Sequence, residues 1–163
     1  MNQYAYNYVD QVVKKTDIQG TVLEVGSYNV NGSVRPLFKD TSRFLNYTGI
    51  DMREGPDVDV VMNSNALNYP DESWDVVVSC DTLEHDSRPW ESIKEFYRVL
   101  RPGGWVVMLS AGIGFHEHPY PDDYWRVTVS GMRELMQYGG FDVLNSQIVP
   151  PNLVGGVGRK NHG

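Results

Sequence analysis

Cysteine is almost missing from this sequence: Cys80 stands alone among 163 residues. An intramolecular disulfide is therefore excluded, and a reducing compartment fits. No apolar run approaches the roughly 20 residues that cross a bilayer, so no membrane span is expected. Basic clusters are also lacking, with Lys14-Lys15 and Arg159-Lys160 the longest. With a formal net charge of −7, the surface repels phosphate backbones, which argues against general nucleic-acid binding. The start, Met1-Asn2-Gln3-Tyr4, lacks the basic and apolar regions of a secretory signal. A cytoplasmic location is the resulting expectation. There is no internal repeat and no low-complexity linker, and the length favours a single domain over 1–163.

Short β-branched runs alternate with helical patterns, which indicates an α/β fold with a mostly parallel sheet. Tyr8, Val9, Val12 and Val13 recur at helical spacing and predict a helix over Tyr4–Lys15. Strands are predicted at Thr21–Val25, Tyr47–Asp51, Val58–Met62, Trp74–Ser79 and Trp105–Ser110. Asn31 or Ser33 is expected to cap a short helix through Phe38. A helix begins near Pro89 with Trp90, Ile93, Phe96, Tyr97 and Leu100 as its apolar stripe, and Pro102-Gly103-Gly104 stops it. Ser130 is expected to cap another helix that ends at Gly139-Gly140. Phe141–Gln147 and Val154–Arg159 read as final strands joined antiparallel through Pro150-Pro151-Asn152. The segment from Gly112 to Thr128 has no clear period, and a loop of that length is often functional.

In an open parallel sheet, ligands bind beyond the carboxyl ends of the strands where strand order reverses. Gly26, after the first strand, lacks a Cβ and allows close approach to the backbone. A helix following it would offer unpaired N–H groups and a positive dipole end. Asp51 ends the second strand 25 residues later, and a carboxylate there can accept bonds from both ribose hydroxyls. Asn63 and the Ser64 amide, after the third strand, are placed to read a base edge. Ser79, Cys80 and Asp81 end the fourth. No basic partner is apparent for Cys80, which reads as a packed small residue rather than a nucleophile.

Together these segments resemble the class I S-adenosylmethionine-dependent methyltransferases, in particular the small type 11 group. The resemblance runs from about Thr21 to Gly140. It is carried by Leu23-Glu24-Val25-Gly26, Gly49-Ile50-Asp51, Tyr69 to Val77, and most specifically by Leu83-Glu84-His85 with Arg98-Val99-Leu100-Arg101-Pro102-Gly103-Gly104. It implies a Rossmann-like three-layer sandwich, mostly parallel with an antiparallel last strand. It also implies that Glu24, Gly26 and Ser27 line the methionine end of the cofactor. Asp51 would then hold the ribose, Met52 would pack on the adenine, and Asn63 and Ser64 would meet its edge. Ser79, Cys80 and Asp81 would pass beneath the methionine portion.

Two departures stand out. Tyr28 and Val30 replace the usual second and third glycines, so Tyr28 is expected at the cofactor. A short Arg53-Glu54-Gly55-Pro56 link replaces a helix between strands two and three. It leaves one sheet face less covered, a candidate surface for a homo-oligomer.

A sulfonium methyl is already activated, so alignment of a small-molecule acceptor is the main demand on the protein. A hydroxyl acceptor would also want a general base, for which His85, His116 and His118 are the candidates. His116 and His118 flank Glu117 without a third well-spaced ligand, so no metal centre is expected. A nicotinamide-dependent oxidoreductase shares the glycine turn and acidic residue, but the Leu-Glu-His and Pro-Gly-Gly segments point away from it. A non-catalytic cofactor-binding or partner-regulating domain is the other alternative.

Overall fold

The computed structural model describes residues 3–119 and 121–162. Met1 and Asn2 of the expected leaderless start, Tyr120 of the aperiodic loop, and Gly163 lie outside the described residues. Seven strands form one sheet: β1 (Gly20–Val25), β2 (Phe44–Asp51), β3 (Val60–Val61), β4 (Trp74–Cys80), β5 (Leu100–Ala111), β6 (Asp142–Val149) and β7 (Leu153–Arg159). Their order is β3-β2-β1-β4-β5-β7-β6. Pairing is parallel through β5, and β7 runs antiparallel between β5 and β6. The expected mostly parallel sheet with an antiparallel last strand is present.

Alternation along each strand builds two cores. Val22, Val76, Val78, Val107 and Leu109 face α1 (Gln3–Lys15), against Tyr8, Val9 and Val13. Leu23, Val77, Val106 and Met108 face the other way. There they meet Ile93, Phe96 and Val99 of α2 (Pro89–Val99) and Met132 and Met136 of α3 (Val129–Gly139). Three layers result because central strands, buried on both faces, are apolar at nearly every position.

Several local expectations are corrected. Only a four-residue 3-10 turn, Arg35–Phe38, follows β1, and Val34 precedes it without a side-chain cap. Ser33 accepts a bond from the Arg35 amide instead. No long helix therefore points a dipole at Gly26. Thr128, not Ser130, caps α3, accepting from the Gly131 amide at 2.9 Å. Trp90 is exposed, because burial on α2 follows Pro89, Ser92, Ile93, Phe96 and Val99. Pro102-Gly103-Gly104 lies within β5 rather than ahead of it: α2 ends at Val99 and Leu100 already pairs with Trp74. β3 shrinks to two residues because only Val60 and Val61 reach β2. No helix among the described residues is long and apolar enough to cross a membrane.

Candidate functional site

The chain leaves β1 toward β2 and β3, then returns to β4 on the other side of β1. The carboxyl ends of β1 and β4 consequently part, opening a crevice there. A cavity of about 670 Å3 occupies it, within the roughly 300–1,000 Å3 of small-molecule sites. Its wall includes Glu24, Gly26, Ser27, Tyr28, Asp51, Met52, Asn63, Ser64, Cys80 and Asp81. Ser79 is fully buried and does not form part of that wall.

Gly26 has φ +85°, and its missing Cβ leaves room for the Thr82 side chain. The glycine thus serves close packing of the β1 and β4 turns as well as access to the cavity. Asp81 itself adopts φ +52°, a conformation uncommon for a residue with a side chain and concentrated at functional sites. Burial together with the neighbouring Glu84 pushes its carboxyl up to about 6. Burial pushes the Cys80 thiol well above its ordinary value, so it stays protonated and inert, in line with a packed small residue.

Glu24 is 5% exposed. Desolvation raises its carboxyl from 4.5 to about 7, against the lowering effect of a hydrogen bond from Tyr47. Arg35 lies 4.7 Å from the Tyr47 ring centroid and pairs with Asp59 at 2.6 Å. A buried acid poised near neutrality on a cavity wall is suited to receive a cation. Asp51 sits at the tip of β2, where its carboxylate accepts from the Arg53 amide at 3.0 Å. Tyr28 packs on the β2–β3 link: Arg53 lies 5.0 Å over its ring, and a Cβ at Gly55 would overlap that ring. The Ser64 hydroxyl meets Ser92 and Asp86.

The aperiodic 112–128 segment forms a strap over the cavity, contributing Phe115, His116, His118, Pro119, Pro121, Asp122 and Tyr124 to its wall. Three bonds dock it on the 3-10 turn Leu83–His85 and the residue that follows: Tyr124 N to Glu84 O, His85 Nδ1 with Asp122 O, and Trp125 Nε1 to Asp86 O. Arg126 fixes it internally, gripping both oxygens of Asp123 and the carbonyls of Phe115 and His116. That grip holds the Asp123 carboxyl well below the usual carboxylate range. The three candidate histidines come together: His85 to His118 at 4.8 Å and His116 to His118 at 5.7 Å between ring centroids. Burial lowers the pKa of His85. The sequence already suggests that the stretch from Phe115 to Arg126 can fold over the site, but not which of its aromatics, Phe115 and Tyr124, reach the wall, nor that Thr82 packs against Gly26. Their only signal was an aromatic-rich loop, whose docking point no local pattern reveals.

A family model described as a methyltransferase domain matches residues 23–108, just over half of the chain. The 2-methyl-6-phytyl-1,4-hydroquinone methyltransferase of Synechocystis is 33% identical over 129 residues, 71% of this chain and 39% of that protein. A methyltransferase of Mycobacterium marinum is 41% identical over 54 residues, 33% of this chain and 21% of that protein. The chain thus spans well under half the length of these curated relatives. A Burkholderia thailandensis 1,6-didemethyltoxoflavin-N1-methyltransferase, solved with its substrate and S-adenosylhomocysteine, superposes with TM-score 0.79 at 17% identity. That match covers 96% of this chain and 78% of the other.

Proposed function

Because the chain belongs to the methyltransferase-domain family, we propose that its cavity binds S-adenosylmethionine and that it transfers the methyl group to a small molecule held under the strap. The observation that carries this reading is the pairing of Glu24 and Asp51 across one crevice. A buried acid with a pKa of about 7 suits an ammonium group, and a carboxylate at a strand tip suits a ribose diol. Gly26 and Ser27 would border the methionine end with Glu24, while Cys80 and Asp81 would lie beneath it. Met52 would cover the adenine, whose edge would meet Asn63 and the Ser64 amide. Tyr28 closes the side left by the absent glycines. The buried Ser79 would support Cys80 from behind rather than touch the ligand.

Bound S-adenosylmethionine supplies an activated methyl group, so the protein's task is alignment and exclusion of water. The strap provides both, with Phe115 and Tyr124 offering apolar surface to an acceptor. His116 and its neighbours line the same cavity and would take the proton from a hydroxyl acceptor. The quinone-type substrate in the name of the Synechocystis relative supports a small acceptor of that general kind.

The test has two parts. S-adenosylhomocysteine at a hundred times its dissociation constant should stabilise the chain by about 2.7 kcal/mol, and NAD should not; the reverse result sinks the reading. Transfer of labelled methyl to a library including hydroquinones should then identify the acceptor. Replacing His116 and His118 with Ala should abolish turnover while leaving cofactor affinity intact. Unchanged turnover would remove the base assignment. Cofactor binding without transfer to any acceptor would favour the non-catalytic alternative.

A further inference from the structure

The strap brings His118 to the Leu83–His85 turn, and there Glu84, His85 and His118 each place one ligand atom within 4.8 Å of the others. The hydrogen bonds around them show which of their atoms are already engaged. His85 Nδ1 meets the Asp122 carbonyl at 2.6 Å. A carbonyl only accepts, so Nδ1 carries the proton and Nε2 its lone pair. His118 Nδ1 lies 3.2 Å from Asp123 Oδ2 and 3.1 Å from the His116 carbonyl, both acceptors. Its Nε2 lies on the Glu84 side, 3.8 Å from Oε1. The other oxygen of Glu84, Oε2, accepts from the buried Ser110 hydroxyl at 2.8 Å. Glu84 is 1% exposed.

Three ligand atoms converging this closely around a buried carboxyl form an arrangement that a cation between them would satisfy. Every member also has an outer partner that orients it: a carbonyl for His85, the Asp123 carboxylate for His118, a hydroxyl for Glu84. That arrangement is the usual support of metal-bound imidazoles and carboxylates. We propose that Glu84, His85 and His118 form a binding site for a divalent transition-metal ion of the zinc type.

Two imidazoles and one carboxylate match the ligand preference of such ions and leave coordination positions open. The 3.8 Å between Nε2 and Oε1 is close to the roughly 3.3 Å edge of a tetrahedron with ~2.0 Å metal–ligand bonds. His85 and His118 belong to the cavity wall, so the open positions face a bound small molecule or water. The site does not depend on which cofactor the cavity takes. With the ion in place, His116 is the histidine left as a proton acceptor. The expectation of no metal centre rested on His116 and Glu117 beside His118; the fold supplies different partners, 33 and 34 residues earlier in the chain.

The full chain, stripped with a chelator, should be titrated with Zn2+ and separately with Co2+. One ion per chain is expected, with visible Co2+ absorption bands that Zn2+ displaces. His85→Ala and His118→Ala should each weaken binding at least about a hundredfold, and His116→Ala should change it less than about threefold. Glu84→Gln should weaken binding too, and His118→Asn provides a partly exposed substitution if the buried change unfolds the chain, as circular dichroism would reveal. Absence of saturable one-to-one binding overturns the proposal, as does unchanged affinity in folded His85→Ala and His118→Ala chains. Binding of S-adenosylhomocysteine without metal binding would reject this site and leave the methyl-transfer reading standing. Metal binding without the nucleoside would do the opposite.

Discussion

Tyr47 on β2 donates its phenolic proton to Glu24 on β1, a residue of the cavity wall. The bond joins adjacent strands and lowers the Glu24 pKa, but desolvation by burial, the larger effect, raises it. The carboxyl consequently titrates near neutrality, which makes the empty protein and the loaded one respond oppositely to pH.

In the empty protein, the acid's pKa is raised from 4.5 to about 7. The folded chain holds this proton more tightly than the unfolded chain, so Glu24 favours folding below pH 4.5 and loses that advantage as pH rises through about 7. The loss amounts to about 3 kcal/mol. Glu24→Gln should remove it, raising the melting temperature at pH 8 by roughly 6–12 °C relative to wild type and much less at pH 4.5. Equal shifts at both pH values would show that Glu24 does not ionise in this window.

Cofactor affinity should run the other way. A ligand ammonium favours the ionised carboxylate, so affinity for S-adenosylmethionine should climb by up to about tenfold per pH unit until near pH 7, then level off. The Gln variant should bind more weakly and show no such slope. Isothermal titration across pH 5.5 to about 8 measures both; a flat wild-type profile contradicts the assignment of Glu24 to the methionine end.

Asp51 carries the ribose assignment. Its replacement by Ala removes two charge-assisted bonds and should weaken S-adenosylhomocysteine by roughly 2–4 kcal/mol, tens to several hundredfold, with little change in stability. Affinity within about threefold of wild type would move the ribose elsewhere.

Gly26 combines a positive φ with contact to Thr82. Gly26→Ala should cost roughly 2–4 kcal/mol, part from the backbone and part from overlap. Adding Thr82→Ala should recover most of the overlap part, since it removes Oγ1 and Cγ2 but keeps Cβ, while the backbone conformation remains unfavourable for alanine. Denaturant unfolding of the two single variants and the double variant measures the split, and strict additivity would show that the Thr82 contact carries none of the cost.

Arg126 is the clasp of the strap. Arg126→Lys keeps the charge but loses the fork that holds Asp123 and two carbonyls. The Asp123 side chain is almost wholly buried, so the change should cost roughly 3 kcal/mol. Hydrogen exchange should accelerate across residues 115–126 while β1 and β4 stay protected. Unaltered protection of the strap would mean that its docking bonds to the Leu83–His85 turn hold it alone.

The parts that the sequence determined by itself are those with a local cause. The apolar spacing of Tyr8, Val9 and Val13 fixed α1, the Val76-Val77-Val78 run fixed β4, and the Pro150-Pro151-Asn152 turn joined β6 to β7. Gly26 after β1 and Asp51 at the end of β2 were legible because each closes a short apolar run, one with a turn glycine and the other with a carboxylate. Tertiary structure decided the rest. Thr128 prevailed over Ser130 as the cap because the chain entering α3 makes a bridge to Gly112. Trp90 faces outward because α2 meets the sheet through Ile93, Phe96 and Val99. The meeting of Glu84 and His85 with His118 had no signature in spacing. It exists because a strap with no period of its own is pinned by Arg126 and docked on another turn, and such long-range bonds depend on the fold of the whole chain rather than on any segment.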